Sequence, residues 1–421
     1  MQKEIIKHFI ELSKIPHCSN EADRLLVYLE KFAKDRGYKV EIDGAKNIYI
    51  YKKNPKLALQ AHYDMVCMGK APVIETYIKD GWMMAKDSSL GADNGMAIAM
   101  MMVLMDRKER LEYVITADEE IGLIGAEALA FDLRSDFMLN LDFEDDAEVC
   151  IGCAGGADLI AKQSFDKSRP LAYSYRVSVS GLMGGHSGVD IDKNIPNAIK
   201  ELANYLKDKE VKLASFEGGE RRNSIPANAV AMVSSSKELI GTDMVDVKKL
   251  EEPLEVYESE AFLGVLQAFM HGVDRYNDEF NLPDTSINLA IVSFKEGQAT
   301  IESSARAMSF DGLEEICAKN IALFKRYGFK SREEYKYPSW QPKINTFTQL
   351  VADSMCKVFG RCEYRAIHAG LECGLILEKY PHMKFASIGP TIEYPHSTRE
   401  RVNLESVGKT FEVVEDIISK L

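Results

Sequence analysis

Short apolar runs recur through the first third of the chain, and each ends abruptly on polar residues. Leu57-Ala58-Leu59-Gln60-Ala61 runs into His62-Tyr63-Asp64. Tyr113-Val114-Ile115-Thr116-Ala117 runs into Asp118-Glu119-Glu120, and Phe137-Met138-Leu139-Asn140-Leu141 runs into Asp142. Apolar runs of this length, separated by helical patterns, predict buried parallel strands in an α/β sheet. Residues 4–37 carry helical apolar spacing, with Ser19-Asn20-Glu21 as a helix start. Further strands are expected at 39–42 and 48–52. The Met-rich segment 92–106 is expected to be a buried core helix.

From about residue 173 the texture changes. Ser174-Tyr175-Arg176-Val177-Ser178-Val179-Ser180 alternates with period two, as an antiparallel strand with one wet face does. Helices near 195–208, 253–277 and 313–327 alternate with strands near 228–235, 286–294 and 298–307. After Gly360 the first style returns: a strand to His368, a helix from Gly370, a strand over 384–388 and a closing helix from Leu404. The expected fold is therefore α/β. A discontinuous mixed-sheet domain, 1–172 with 338–421, carries an inserted α+β domain over 173–337.

Composition narrows the function. A chain of 421 residues exceeds one ordinary core, and 46% apolar with 28% charged residues excludes wholesale disorder. A net charge of −13 without a Lys/Arg stripe argues against a nucleic-acid partner. No run reaches the roughly 18 apolar residues of a membrane span, and the N-terminus lacks the apolar stretch of a signal peptide. Eight cysteines scattered without a framework suggest reduced thiols and a cytoplasmic protein. Cys150-Ile151-Gly152-Cys153 has redox-motif spacing but no thioredoxin-like setting, so it reads as structural.

Ligands gather at the carboxyl ends of parallel strands. Three strand ends would deliver His62, Asp64, Glu119, Glu120 and Asp142 to one crevice, and Asp93 in the loop Leu90-Gly91-Ala92-Asp93-Asn94-Gly95 can join them. Each residue alone has a plainer reading as a turn former or a solvated side chain; their joint occurrence is a metal-site inventory. Asp64 is placed to fix the second nitrogen of His62. Adjacent Glu119 and Glu120 must diverge, so that one binds metal and the other serves as general base. Two metals about 3.5–4 Å apart need a bridging carboxylate, a role that suits Asp93. His396, in Tyr394-Pro395-His396-Ser397, would supply the second histidine.

The strings HYDMV, SLGADNG, ADEE, NLD, GCAGG, GGHSG, RNSIP, HAGLECG and IGPTIEYPHS, in order from about residue 60 to 400, resemble a known family. It is the superfamily of co-catalytic zinc exopeptidases that holds carboxypeptidase G, aminoacylase and carnosinase. GCAGG and HAGLECG resemble its bacterial aminoacyl-histidine (Xaa-His) dipeptidase branch. The resemblance implies two Zn²⁺, with Mn²⁺ or Co²⁺ as substitutes. His62 and Asp142 would hold one ion and Glu120 and His396 the other, with Asp93 bridging. It further implies Asp64 as the supporting carboxylate, Glu119 as general base and a cis bond after Asp93.

In the inserted domain, His186 of GGHSG matches a histidine that helps bind the substrate carbonyl, often in the partner subunit's site. Asn223 and Arg306 match substrate contacts; an arginine fork suits a peptide's terminal carboxylate. Glu372 matches a residue lining the substrate pocket. The implied protein is a cytoplasmic homodimeric dipeptidase acting on small peptides. The alternative is a deacylase of N-acyl amino acids on the same scaffold; less favoured is a catalytically inactive binding protein, since no ligand or base is lost. The inserted domain is shorter than in the longest dipeptidases of this type, so substrate preference transfers less directly than the metal site.

Overall fold

The computed structural model describes residues 1–421. The chain forms two compact units. One comprises Met1–Cys153, Pro342–Ala366 and Leu371–Leu421; the other comprises Ala154–Gln341 and the short excursion Ile367–Gly370.

The first unit is built on an eight-stranded mixed sheet. Its order is Lys39–Ile42, Ile48–Tyr51, Glu112–Thr116, Leu57–His62, Phe137–Asn140, Lys384–Ser387, Glu148–Cys153 and Glu363–Ile367, the last residue passing into the second unit. The four central strands run parallel, with Ala61 opposite Ile115, Gln60 opposite Asn140 and Ala386 opposite Leu139. Their carboxyl ends therefore open on one edge, as the apolar runs predict. Strands Lys39–Ile42, Ile48–Tyr51 and Glu148–Cys153 pair antiparallel. Helix Ala92–Asp106 is almost wholly buried, with Met96, Met100, Met101 and Met102 at 1% exposure or less. An all-round apolar helix of this kind has to be internal.

The second unit is an eleven-stranded antiparallel sheet. Its main path runs Asp246–Leu250, Tyr173–Val179, Ala229–Ser235, Val211–Gly218, Leu282–Lys295, Gln298–Ala307, Gly155–Ser164 and Lys330–Tyr337. The period-two runs bury alternate residues under helices Ala198–Tyr205, Glu260–Ala268 and Phe310–Arg326. Phe262 anchors that core, its ring 5.7 Å from Phe216 and 5.1 Å from Phe294. Truncating a fully buried ring of this kind to alanine costs about 3–5 kcal/mol.

Five sequence expectations are corrected. The first boundary falls at Cys153/Ala154 rather than 172/173, because strand Gly155–Ser164 pairs along its length with Gln298–Ala307 and Lys330–Tyr337. The return falls at Gln341/Pro342 rather than 337/338. The expected helix over 253–277 is confined to Glu260–Ala268; strand Gly272–Asn277 pairs instead with Leu282–Lys295, two bulges having broken its alternation. Ser19 does not start a helix. The helix is Asp23–Asp35, and Ser19 Oγ donates to Asp64. Finally, not all cysteines are thiols. A backbone bridge between Cys18 and Met65 brings Cys18 to Cys67, and the two form a disulfide with Cα atoms 5.5 Å apart. Cys150 and Cys153 remain free and buried.

Candidate metal centre

Strand Leu57–His62 ends on His62, whose side chain is 1% exposed at the shared carboxyl edge. Its Nδ1 is 3.0 Å from the Asp64 carbonyl and 3.5 Å from the Asp64 carboxylate. With Nδ1 so occupied, Nε2 faces Asp93 Oδ1 at 3.1 Å and Asp142 Oδ1 at 3.3 Å. Asp64 does more than orient this ring. Its carboxylate also accepts Ser19 Oγ at 2.7 Å and the backbone N–H groups of Glu119 and Glu120 at 3.0 and 3.4 Å. The supporting carboxylate thus fixes the turn that follows strand Glu112–Thr116, where Asp118 adopts a left-handed φ of 52°.

Asp93 lies in the kinked, non-helical start of helix Ala92–Asp106, and the Asp93-Asn94 bond is cis. Gly91 caps that start at φ 71°, where a Cβ would stand 2.8 Å from Met65 Sδ. Only glycine meets both demands without strain. The two oxygens of Asp93 point to different imidazoles: Oδ1 to His62, and Oδ2 to His396 Nε2 at 3.0 Å. His396 Nε2 is also 2.9 Å from Glu120 Oε2. The geometry joins three ligand groups: His62, Asp93 and Asp142; Asp93, Glu120 and His396; and His62, Glu119 and Glu120.

These residues fit divalent cations. Asp93, Glu120 and Asp142 find ion-pair partners only in the two imidazoles. Glu120 Oε1 is buried without a hydrogen-bond partner, and Asp142 Oδ1 meets only the His62 ring, at 3.3 Å. Burying carboxylate charge this way is costly unless a cation repays it. The protonation pattern follows. Burial, assisted by Asp93, pushes Glu120 up to about 7 against the pull of His396. Burial, with Glu120 and Asp142, holds Glu119 well above the usual carboxylate range while His62 opposes. Burial opposes the charged forms of His62 and His396. Surrounding carboxylates nevertheless raise both, His396 to about 11.

In the second unit, Gly185–His186 pairs with Ser224–Ile225, so GGHSG and RNSIP form one two-stranded element. His186 Nδ1 accepts the N–H groups of Gly188 and Val189 at 3.2 and 3.1 Å, which makes Nε2 the protonated nitrogen. A Cβ on Gly188 would stand 2.5 Å from the His368 carbonyl and 3.3 Å from Arg306 Nε, so these groups cluster. Arg306 is 7% exposed, donates to Tyr337 Oη at 3.1 Å and has a buried Nε without a partner. Asn223 is exposed, and its carbonyl accepts the Ser187 N–H.

Glu372 is fully buried in the first unit, and Oε2 accepts Thr116 Oγ1 at 2.6 Å and Gln60 Nε2 at 2.5 Å. Through Gln60 that oxygen joins a polar network with Asn140 and Ser387, while Oε1 is buried without a hydrogen-bond partner. Sequence reasoning missed Ser19 and Glu400. Ser19 was hidden in a helix-like pattern; Glu400 had one available signal, its place four residues beyond His396.

Known proteins resemble this chain along most of its length. The model of peptidase family M20/M25/M40 matches residues 58–420. The cytosol non-specific dipeptidase of Escherichia coli K12 is 31% identical, covering 98% of this chain and 96% of that protein. The crystal structure of aminoacylhistidine dipeptidase from Vibrio alginolyticus has a TM-score of 0.82 and 29% identity, over 99% of this chain and 96% of that one. Aminopeptidase PepT from Bacillus cereus shares the fold at a TM-score of 0.61 and 18% identity, over 100% and 98%. With all but the first 57 residues and the last one inside the family match, the chain belongs to peptidase family M20/M25/M40.

Proposed function

We propose that the chain is a dinuclear metal-dependent dipeptidase that hydrolyses small dipeptides, Xaa-His among them. One observation carries the reading: the two oxygens of Asp93 address two separate ligand sets, one with His62 and Asp142, the other with Glu120 and His396. Zn²⁺ suits imidazole and carboxylate donors, with Mn²⁺ or Co²⁺ able to replace it. Bound there, a cation pair supplies Lewis-acid polarisation and a more acidic water. With the cations bound, Glu119 would take a proton from the attacking water and return it to the leaving amine. His186, protonated at Nε2, donates to the developing oxyanion. Arg306 offers its guanidinium to the dipeptide's carboxylate, and Asn223 contacts the substrate beside it.

Similarity to the Escherichia coli and Vibrio dipeptidases supports the dipeptide substrate, and the former, a cytosolic enzyme, supports a cytoplasmic location. No helix is long and apolar enough to cross a membrane. The second unit would act as lid and dimerisation domain of a homodimer. A chelator-stripped sample, reloaded with Zn²⁺, Mn²⁺ or Co²⁺ and assayed on free and N-acetylated dipeptides, tests the reading. Metal-dependent release of free amino acids from unmodified dipeptides is expected. Preference for the N-acylated substrates would make the chain a deacylase, and metal-independent turnover would overturn the site.

A further inference from the structure

Glu400 is buried to 3% exposure and makes no ion pair with Lys, Arg or His, so its carboxylate must be held by other means. Its two oxygens accept four consecutive backbone N–H groups. Oε2 takes those of Leu90 and Gly91 at 2.7 and 3.0 Å; Oε1 takes those of Ala92 and Asp93 at 2.7 and 3.3 Å. These are the orphan donors that precede and begin helix Ala92–Asp106. The carboxylate thus satisfies donors that the helix itself leaves open.

The acceptor's position in the chain gives this contact its consequence. Glu400 lies four residues after His396 and immediately before strand Arg401–Asn403, which is paired with Trp82–Ala85. The intervening turn is closed by Glu400 N–H to the Ser397 carbonyl at 3.2 Å. Tyr394 and His396 both sit at a left-handed φ of 56°. A bulky residue stays there only when its surroundings over-determine it. One side chain therefore ties the helix start bearing Asp93 to the loop bearing His396, whose reactive atoms are 3.0 Å apart.

We propose that Glu400 is a positioning residue of the metal centre, setting the spacing between Asp93 and His396 and so the affinity of the site they share. The inference rests on the dinuclear reading above. Replacing the carboxylate by an amide keeps the shape but puts an N–H₂ donor against backbone donors.

The test measures Zn²⁺ affinity by chelator competition on the full-length wild type, Glu400→Gln, Glu400→Asp and a control, Glu112→Gln. Glu112 is an equally buried carboxylate whose partners are Tyr49 Oη and the backbone N–H groups of Arg134 and Ser135. Glu400→Gln should weaken Zn²⁺ binding by roughly 10–100-fold, the range seen when supporting groups of metal ligands are removed. The Zn²⁺ concentration for half-maximal activity should rise by the same factor, with kcat recovering at saturating Zn²⁺. Glu112→Gln should lower thermal stability without moving the affinity. If Glu400→Gln does not fold, Glu400→Asp should show the same effect in smaller degree. Unchanged affinity in the folded Glu400 variants, or an equal loss in Glu112→Gln, would overturn the positioning role while leaving the dinuclear reading intact. A wild type that binds no Zn²⁺ would overturn both.

Discussion

Glu119 and Glu120 share a turn, a neighbour in Asp64 and a buried setting, yet the geometry separates them. Glu120 reaches His396 at 2.9 Å, while Glu119 forms a group with His62 and Glu120 but no contact with His396. From sequence alone the two were interchangeable, and only the family resemblance assigned Glu119 as base. Glu119→Ala should keep its metal content and lose turnover by about 10²–10⁴-fold, the usual contribution of a general base. Metal analysis beside steady-state kinetics decides it: loss of an ion, or near-normal activity, would exchange or abolish the roles. Most ligands were legible because strand ends place side chains predictably. Glu400 was not, because its partners lie 307–310 residues away in the chain and are backbone groups with no side-chain signature.

At the scale of elements, the parallel strands and the buried Met-rich helix were legible from apolar runs alone. Strand Gly155–Ser164 was assigned to the wrong domain because a buried strand reads alike in either sheet; only its pairing with Gln298–Ala307 decides membership. The second unit also shields two imidazoles, His368 buried and His271 half-buried. Burial lowers His271 to about 4, and burial with the nearby Arg306 lowers His368 to about 3. A histidine held neutral when folded binds its proton first in the unfolded chain, so its share of stability is complete above the ordinary value of 6.5. That share falls as pH drops from 6.5 toward 4 and 3, by at most about 1.4 kcal/mol per histidine per pH unit. Thermal unfolding at pH 7 and pH 5 should therefore show a smaller acid loss in His271→Gln than in wild type. Equal losses would remove His271 from the acid response.

At the scale of the whole molecule, the oxyanion role proposed for His186 is open to a kinetic test. His186→Ala should lower kcat by roughly 10²–10³, as removal of an oxyanion donor does, with metal content intact. If the enzyme is a homodimer in which His186 serves the partner's site, mixing His186→Ala with Glu119→Ala restores part of the activity. One hybrid site then has both groups. Subunit exchange without recovery would place His186 in its own chain's site.

The bridging role of Asp93 is the claim on which the metal centre stands, and metal stoichiometry tests it most directly. Chelator-stripped wild type and Asp93→Ala would be titrated with Zn²⁺, counting tightly bound ions per chain while following dipeptide hydrolysis. Wild type should bind two ions, with activity rising as both sites fill, and Asp93→Ala should hold neither tightly because a shared carboxylate serves both. Two tight ions per chain in Asp93→Ala, or a fully active wild type with a single ion, would contradict it.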